Sequence, residues 1–234
     1  MGADPSPQAI ELFKALATRT DLREIRSEAL TVTTGALESI ASWLALDAFL
    51  AGGDVPPNAP RDAALNEERF HAFHAVAAVA QMAAELADGA TLCLAEGRRY
   101  ASAALTRQLL ECEYHLAAFR IDFDAAAQWA RAPASEMRQM FRPGRLRKLA
   151  GFDDAEYWNH CDSGGHPSPS GRYLLRNDVR SEPDRTTIDA MTELDLTQHV
   201  DRAWRSLDAV LTAQHARYTI VRAEQRIAVM DVRE

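Results

Sequence analysis

Leu105, Leu109, Cys112, Leu116 and Phe119 stand four, three, four and three residues apart, and Leu196, Val200, Ala203, Leu207 and Val210 repeat the same steps. Steps that alternate between three and four keep side chains on one stripe of a helix, where a strand would divide them between two faces. A third seam runs through Leu30, Thr33, Leu37, Ile40 and Leu44, and a fourth helix carries Phe73, Val76, Ala80 and Ala83. Apolar stripes on long helices must be buried against one another, so the chain is expected to be all-α.

Composition supports this. The chain has 43 alanines in 234 residues and is 47% hydrophobic and 26% charged, a mixture that favours helix at most surface positions. Long helices are expected over residues 22–50, 62–87 and 91–119 and from about residue 189 onward. A shorter helix, residues 7–17, precedes them within an accessory segment, residues 1–20. The third helix has Tyr100, Ala104, Tyr114 and Ala118 opposite its seam, so it is apolar nearly all round and belongs at the centre. Val55-Pro56-Pro57-Asn58-Ala59-Pro60 makes a stiff loop, and Asp88-Gly89 reads as a helix stop.

Between residues 120 and 190 the pattern breaks into an insertion. Short helices are expected at residues 123–130, 135–141 and 153–161, the last closed by Gly164-Gly165. Irregular chain follows at residues 166–171 and a polar loop at 176–187. Residues 215–234 read as a charged helical tail able to pair with another chain, which suggests a homodimer. The expected architecture is one domain, residues 1–234, built as a four-helix bundle with this insertion before the last long helix.

The net charge of −8 argues against a whole-surface nucleic-acid or membrane binder. Cys93, Cys112 and Cys161 have no disulfide-framework spacing, and the N-terminus lacks a signal pattern, so a cytoplasmic protein without a membrane span is expected. Arg138, Arg142, Arg145, Arg147 and Lys148 form a local basic run that reads as a solvated face or as a phosphate-backbone contact.

Two places concentrate chemistry. On the central helix Arg107 and Glu111 stand four apart, flanked by Tyr114 and His115. In the insertion, Tyr157, His160, Cys161, Asp162, His166 and Ser168 crowd into one helix end and its loop. Arg107, Glu111 and His166 are the expected catalytic set, with Tyr114, His115, Tyr157, His160, Asp162 and Ser168 as ligand contacts. His160, Cys161 and His166 are acceptable zinc donors, but two are adjacent and a fourth is missing, so neither a metal nor another cofactor is expected.

Ala104 to Glu111, then Phe141-Arg142-Pro143, Leu146-Arg147-Lys148, Tyr157-Trp158 and His166-Pro167-Ser168, together resemble a group of uncharacterised bacterial helical proteins over residues 91–215. Those proteins are similar in turn to the HEPN superfamily, many of whose members are metal-independent ribonucleases of stress and phage-defence systems. The resemblance implies an RNA- or nucleotide-directed role. In such nucleases a His assists attack by a 2′-hydroxyl and an Arg stabilises the charge that develops. The family's short Arg-to-His spacing occurs here at Arg69 and His74, while Arg107 and His166 lie much further apart. The alternatives are a non-enzymatic protein-interaction module, and a small-ligand or metal pocket under the His166 loop.

Overall fold

The computed structural model describes residues 62–176 and 182–213, and the backbone of two strands at 218–223 and 226–231. Up to residue 213 the described fold is all-α. The helices are α1 (Asp62–Ala95), α2 (Arg99–Ile121), α3 (Phe123–Arg131), α4 (Ala134–Met140), α5 (Pro143–Ala150), α6 (Asp154–His160) and α7 (Glu182–Ala213). The helices expected at residues 7–17 and 22–50 lie outside the described residues. Three of the four expected long helices are therefore seen, and they pack together.

α2 is the central element. It packs against α1, α7, α3, α5, α6 and the turn that follows α6. Its seam behaves as its spacing requires: Leu109, Cys112, Leu116 and Phe119 are buried, and so are Tyr114 and Ala118 on the opposite side. α1 answers with a face of alanines, among them Ala80, Ala83, Ala87 and Ala90, which lets the two backbones approach. α7 closes the core with Leu196, Val200, Ala203, Leu207 and Val210, all buried.

Several expected boundaries move. α1 runs through Asp88-Gly89 and ends only at Ala95, just before Gly97, whose φ of 69° is a left-handed value suited to glycine. A lone glycine inside a helix costs about 1 kcal/mol, and burial of Ala87 and Ala90 on either side outweighs it. α7 begins by Glu182, so part of the expected polar loop is helix; Asp184 there is exposed and residues 185–189 only half-buried, leaving no apolar seam to read. A further short helix, α5, was not expected; Pro143-Gly144 opens it, since proline is well suited to a first helical turn. Where the expected helical tail is described, at 218–223 and 226–231, it is an antiparallel hairpin pairing Tyr218 with Asp231 through Ala223 with Arg226. Its β-branched Thr219, Ile220, Val221, Ile227 and Val229 explain the preference.

The insertion is held tightly to α2. After α6 the chain makes a π-helical turn, Cys161–Gly165, and then a 3-10 turn, Gly171–Leu174. A Cβ at Gly164 would stand 2.6 Å from the backbone of Ala103 and Ala104, so glycine alone lets this turn lie directly on α2. Asp153 caps α6 by accepting from the Ala155 N–H at 2.9 Å. Cap and turn together fix where the last residue of α6, His160, points.

Because Leu109 is fully buried at the centre, Leu109→Ala is expected to destabilise the chain by about 2 to 5 kcal/mol in urea unfolding. A loss below about 1 kcal/mol would contradict the central placement of α2.

Candidate metal centre

α2 carries one buried stripe, Thr106, Leu110, Glu113 and Ala117, that steps four, three and four. Three of its members belong in a core and the fourth is a carboxylate. Glu113 has no exposure to water, and its Oε1 lies 2.6 Å from Nδ1 of His199 on α7. His199 is itself 1% exposed and belongs to a polar stripe, Asp195, His199 and Arg202, that runs beside the α7 seam. Two helices thus bury complementary polar groups against each other, as a low-dielectric interior requires.

The other ring nitrogen of His199 faces outward from this pair. Its Nε2 is 2.9 Å from Nε2 of His160 and 3.5 Å from Oδ1 of Asp195, and the same Asp195 oxygen is 3.6 Å from His160 Nε2. Three donor atoms on two elements therefore form a small triangle. Atoms bound about 2.1 Å from one ion stand about 3.0 Å apart at a right angle and about 3.4 Å apart at the tetrahedral angle. The triangle fits these separations with little movement. Glu113 would complete a carboxylate–histidine–metal arrangement: it accepts the Nδ1 proton of His199, and an ion at the triangle would displace the Nε2 proton that the metal-free imidazolium carries.

Charge is arranged around this point. Arg202 bonds Glu156 of α6 at 2.5 Å, and the same Nη1 lies 4.0 Å from the second oxygen of Glu113. Burial disfavours the His199 imidazolium, but the carboxylates of Asp195 and Glu113 outweigh it and hold its pKa up at about 9. Burial pushes Glu113 up to about 7 against the pull of His199 and Arg202. His160 is lowered, chiefly by burial and with help from the neighbouring His199, which favours a neutral imidazole. Burial opposes ionisation of Asp195, yet the His199 bond and the charges of His160, His199 and Arg202 keep its pKa below the ordinary value.

Asp195 is 43% exposed and opens the triangle to a cleft of about 660 Å³. Ala103 of α2, Asp153, Glu156 and His160 around α6, Tyr173, and Ile188, Met191 and Leu194 of α7 line it. A site with three protein donors and an open side facing a cleft is of the kind that binds a further ligand, unlike a closed structural site.

The residues expected from sequence divide. Arg107 bonds Glu111 at 2.7 Å and the Tyr157 hydroxyl at 2.7 Å, so these three do meet. The Tyr157 ring meets two guanidiniums, Arg107 at 5.2 Å and Arg147 at 4.6 Å from its centroid. His166 is exposed, and none of the described bonds joins its side chain to Arg107 or Glu111; its backbone N–H donates to the Cys161 carbonyl. Tyr114 lies in the core against Phe152, out of reach of a ligand. His115 spends Nδ1 on the Glu111 carbonyl and packs among Phe119, Trp129 and Phe141. Asp162 is exposed and its carbonyl accepts from Ser168, a bond that shapes the loop. Of the expected residues, His160 alone joins the metal centre, and its partners are Asp195 and His199 in place of Cys161 and His166. Arg147 leaves the basic run, being 5% exposed and paired with Asp154 at 2.6 Å. All three cysteines are free thiols.

Glu113, Asp195, His199 and Arg202 were absent from the sequence reading. A usable signal existed: each stands beside or within an apolar seam, where a charge must be answered. Comparison of the chain with protein-family models, with curated proteins and with solved structures returned no match.

His199 sets a pH dependence in the metal-free chain. Its pKa rises from 6.5 to about 9 on folding, so its contribution to stability is complete below pH 6.5 and is lost as pH rises through 9. Glu113, also raised, acts in the same direction at lower pH, while Asp195, held low, acts only in acid. The urea midpoint is expected to fall between pH 7 and 9 and to flatten in His199→Gln.

Proposed function

We propose that this chain is a metal-dependent helical protein in which His160, Asp195 and His199 hold one divalent transition-metal ion beside a small-molecule cleft. The observation that carries the reading is the triangle of donor atoms at 2.9, 3.5 and 3.6 Å. Two imidazoles with one carboxylate favour zinc, iron, cobalt or nickel over magnesium, which prefers oxygen donors. An ion so held polarises a ligand oxygen and activates water, which makes metal-assisted hydrolysis the reaction class. Glu113 keeps His199 in the ligating tautomer, and Arg202 balances the buried carboxylates.

Dialysed protein is expected to take up one equivalent of Zn²⁺ or Co²⁺. Glu113→Gln should weaken that binding by about ten- to a hundredfold, and His199→Ala by more. Substoichiometric uptake, or equal affinity in His199→Ala, would overturn the reading.

The RNA-directed reading is a second proposal, favoured by the exposed Arg138, Arg142, Arg145 and Lys148 on and between α4 and α5. Cleavage dependent on Arg107 and His166 would survive EDTA, while chemistry at the metal centre would not. A homodimer is part of either proposal, because no third strand pairs with the hairpin among the described residues and a two-stranded ribbon alone is marginal. Sedimentation is expected to give a dimer that truncation after residue 213 reduces to a monomer.

No helix among the described residues is long and apolar enough to cross a membrane.

A further inference from the structure

His160 reaches the donor triangle from a helix of seven residues, which is too short to hold its place alone. It is also the one buried residue of α6. Half-buried Tyr157 ties the helix to α2, through the bond from Arg107 and a ring contact with Tyr114. The described contacts that join α6 to α7 are polar. Glu156 and His160 stand four apart on one face of α6, and Asp195, His199 and Arg202 stand four and three apart on one stripe of α7. The two faces meet running in opposite directions. Glu156 accepts from Nη1 of Arg202 at 2.5 Å, and one turn further along α6, Nε2 of His160 lies 2.9 Å from His199 and 3.6 Å from Asp195. Apolar packing is non-directional, whereas a charged hydrogen bond fixes both a distance and a direction. The Glu156 and Arg202 side chains are half-buried, so their bond is partly withdrawn from water.

We propose that Glu156 and Arg202 are positioning residues of the metal centre: their ion pair sets the gap between α6 and α7 at which His160 shares an ion with Asp195 and His199. This rests on the metal reading above. Neither residue is among the donors. The same Nη1 of Arg202 also stands 4.0 Å from the second oxygen of Glu113, whose first oxygen meets His199. One guanidinium thus faces both the helix that carries His160 and the carboxylate that orients His199. Without the pair, α6 keeps its hold on α2 but loses its register against α7, and His160 leaves the ion to two donors. Charge and position act in opposite senses at Arg202, because a cation beside the site repels a metal ion while the clamp it makes favours one. At Glu156 the two act in the same sense. Substitutions at both residues therefore separate position from charge.

Co²⁺ affinity, measured in the full chain by competition with a chelator, tests this in a cycle of variants. Glu156→Gln and Arg202→Met are each expected to weaken binding about tenfold, and the double variant no more than either alone, since both remove one interaction. In a His160→Ala background, where the clamp has no ligand left to position, Glu156→Gln should change the already weaker affinity little. Loss of the Glu156 charge alone would instead lower affinity equally with and without His160, and loss of the Arg202 charge alone would raise it. Unchanged affinity in Glu156→Gln, tighter binding in Arg202→Met, or the same loss in the His160→Ala background would overturn this inference and leave the metal centre standing. Should Arg202→Met not fold, Glu156→Gln with and without His160 still decides. Failure of the unaltered protein to take up Co²⁺ would remove both readings.

Discussion

A carboxylate with no access to water cannot stand alone inside a protein, and Glu113 is such a carboxylate. Its bond to His199 joins the central helix to the last one at a buried point, and the rest of the site follows from that. With Nδ1 committed to Glu113, the His199 ring has one orientation and one free nitrogen. That nitrogen meets His160 and Asp195. Removing either partner of the buried pair would leave an unanswered charge, which is far more costly than losing both. The pair therefore acts as a register pin for α2 against α7. A bidentate pair, Arg99 to Asp189 at 2.5 and 2.8 Å, does the same near the opposite end of the contact.

The insertion is the second half of the design. Its helices are too short to be stable alone and owe their places to packing on α2. Arg147 and Arg107 both pack on the Tyr157 ring, and Gly164 lets the π-helical turn lie on the α2 backbone. π-helical turns recur at functional sites because they shift side-chain register within an otherwise regular element. Here the shift comes directly after His160. The Arg107, Glu111 and Tyr157 cluster thus works as an anchor of the insertion. Arg107 and Glu111 thereby help to position the helix that carries His160.

Much was legible from the residues alone. The seams of α2 and α7 and the central position of α2 follow from spacing, because burial of an apolar stripe is a local demand that any partner can meet. Three of the four short helices of the insertion, α3, α4 and α6, were legible too, and so was the density of reactive side chains near His160. What the residues could not show was which of them meet. His160 and His199 are 39 positions apart and Glu113 and His199 are 86 apart, and no periodicity links such distances. His166, near in sequence and rich in chemistry, turned outward. Glu113 looked like an ordinary helix glutamate until its stripe was seen to be buried.

The sequence by itself thus determined that long helices form, which faces they bury and where the chain becomes irregular, since those outcomes rest on periodicity, capping and propensity within a few residues. Tertiary structure alone decided the site. It chose the helix register that places Glu113 opposite His199 and brought the end of α6 to the same point. Each of those outcomes depends on pairing between distant segments in a low-dielectric interior, where one buried charge selects its partner by geometry and not by its place in the chain.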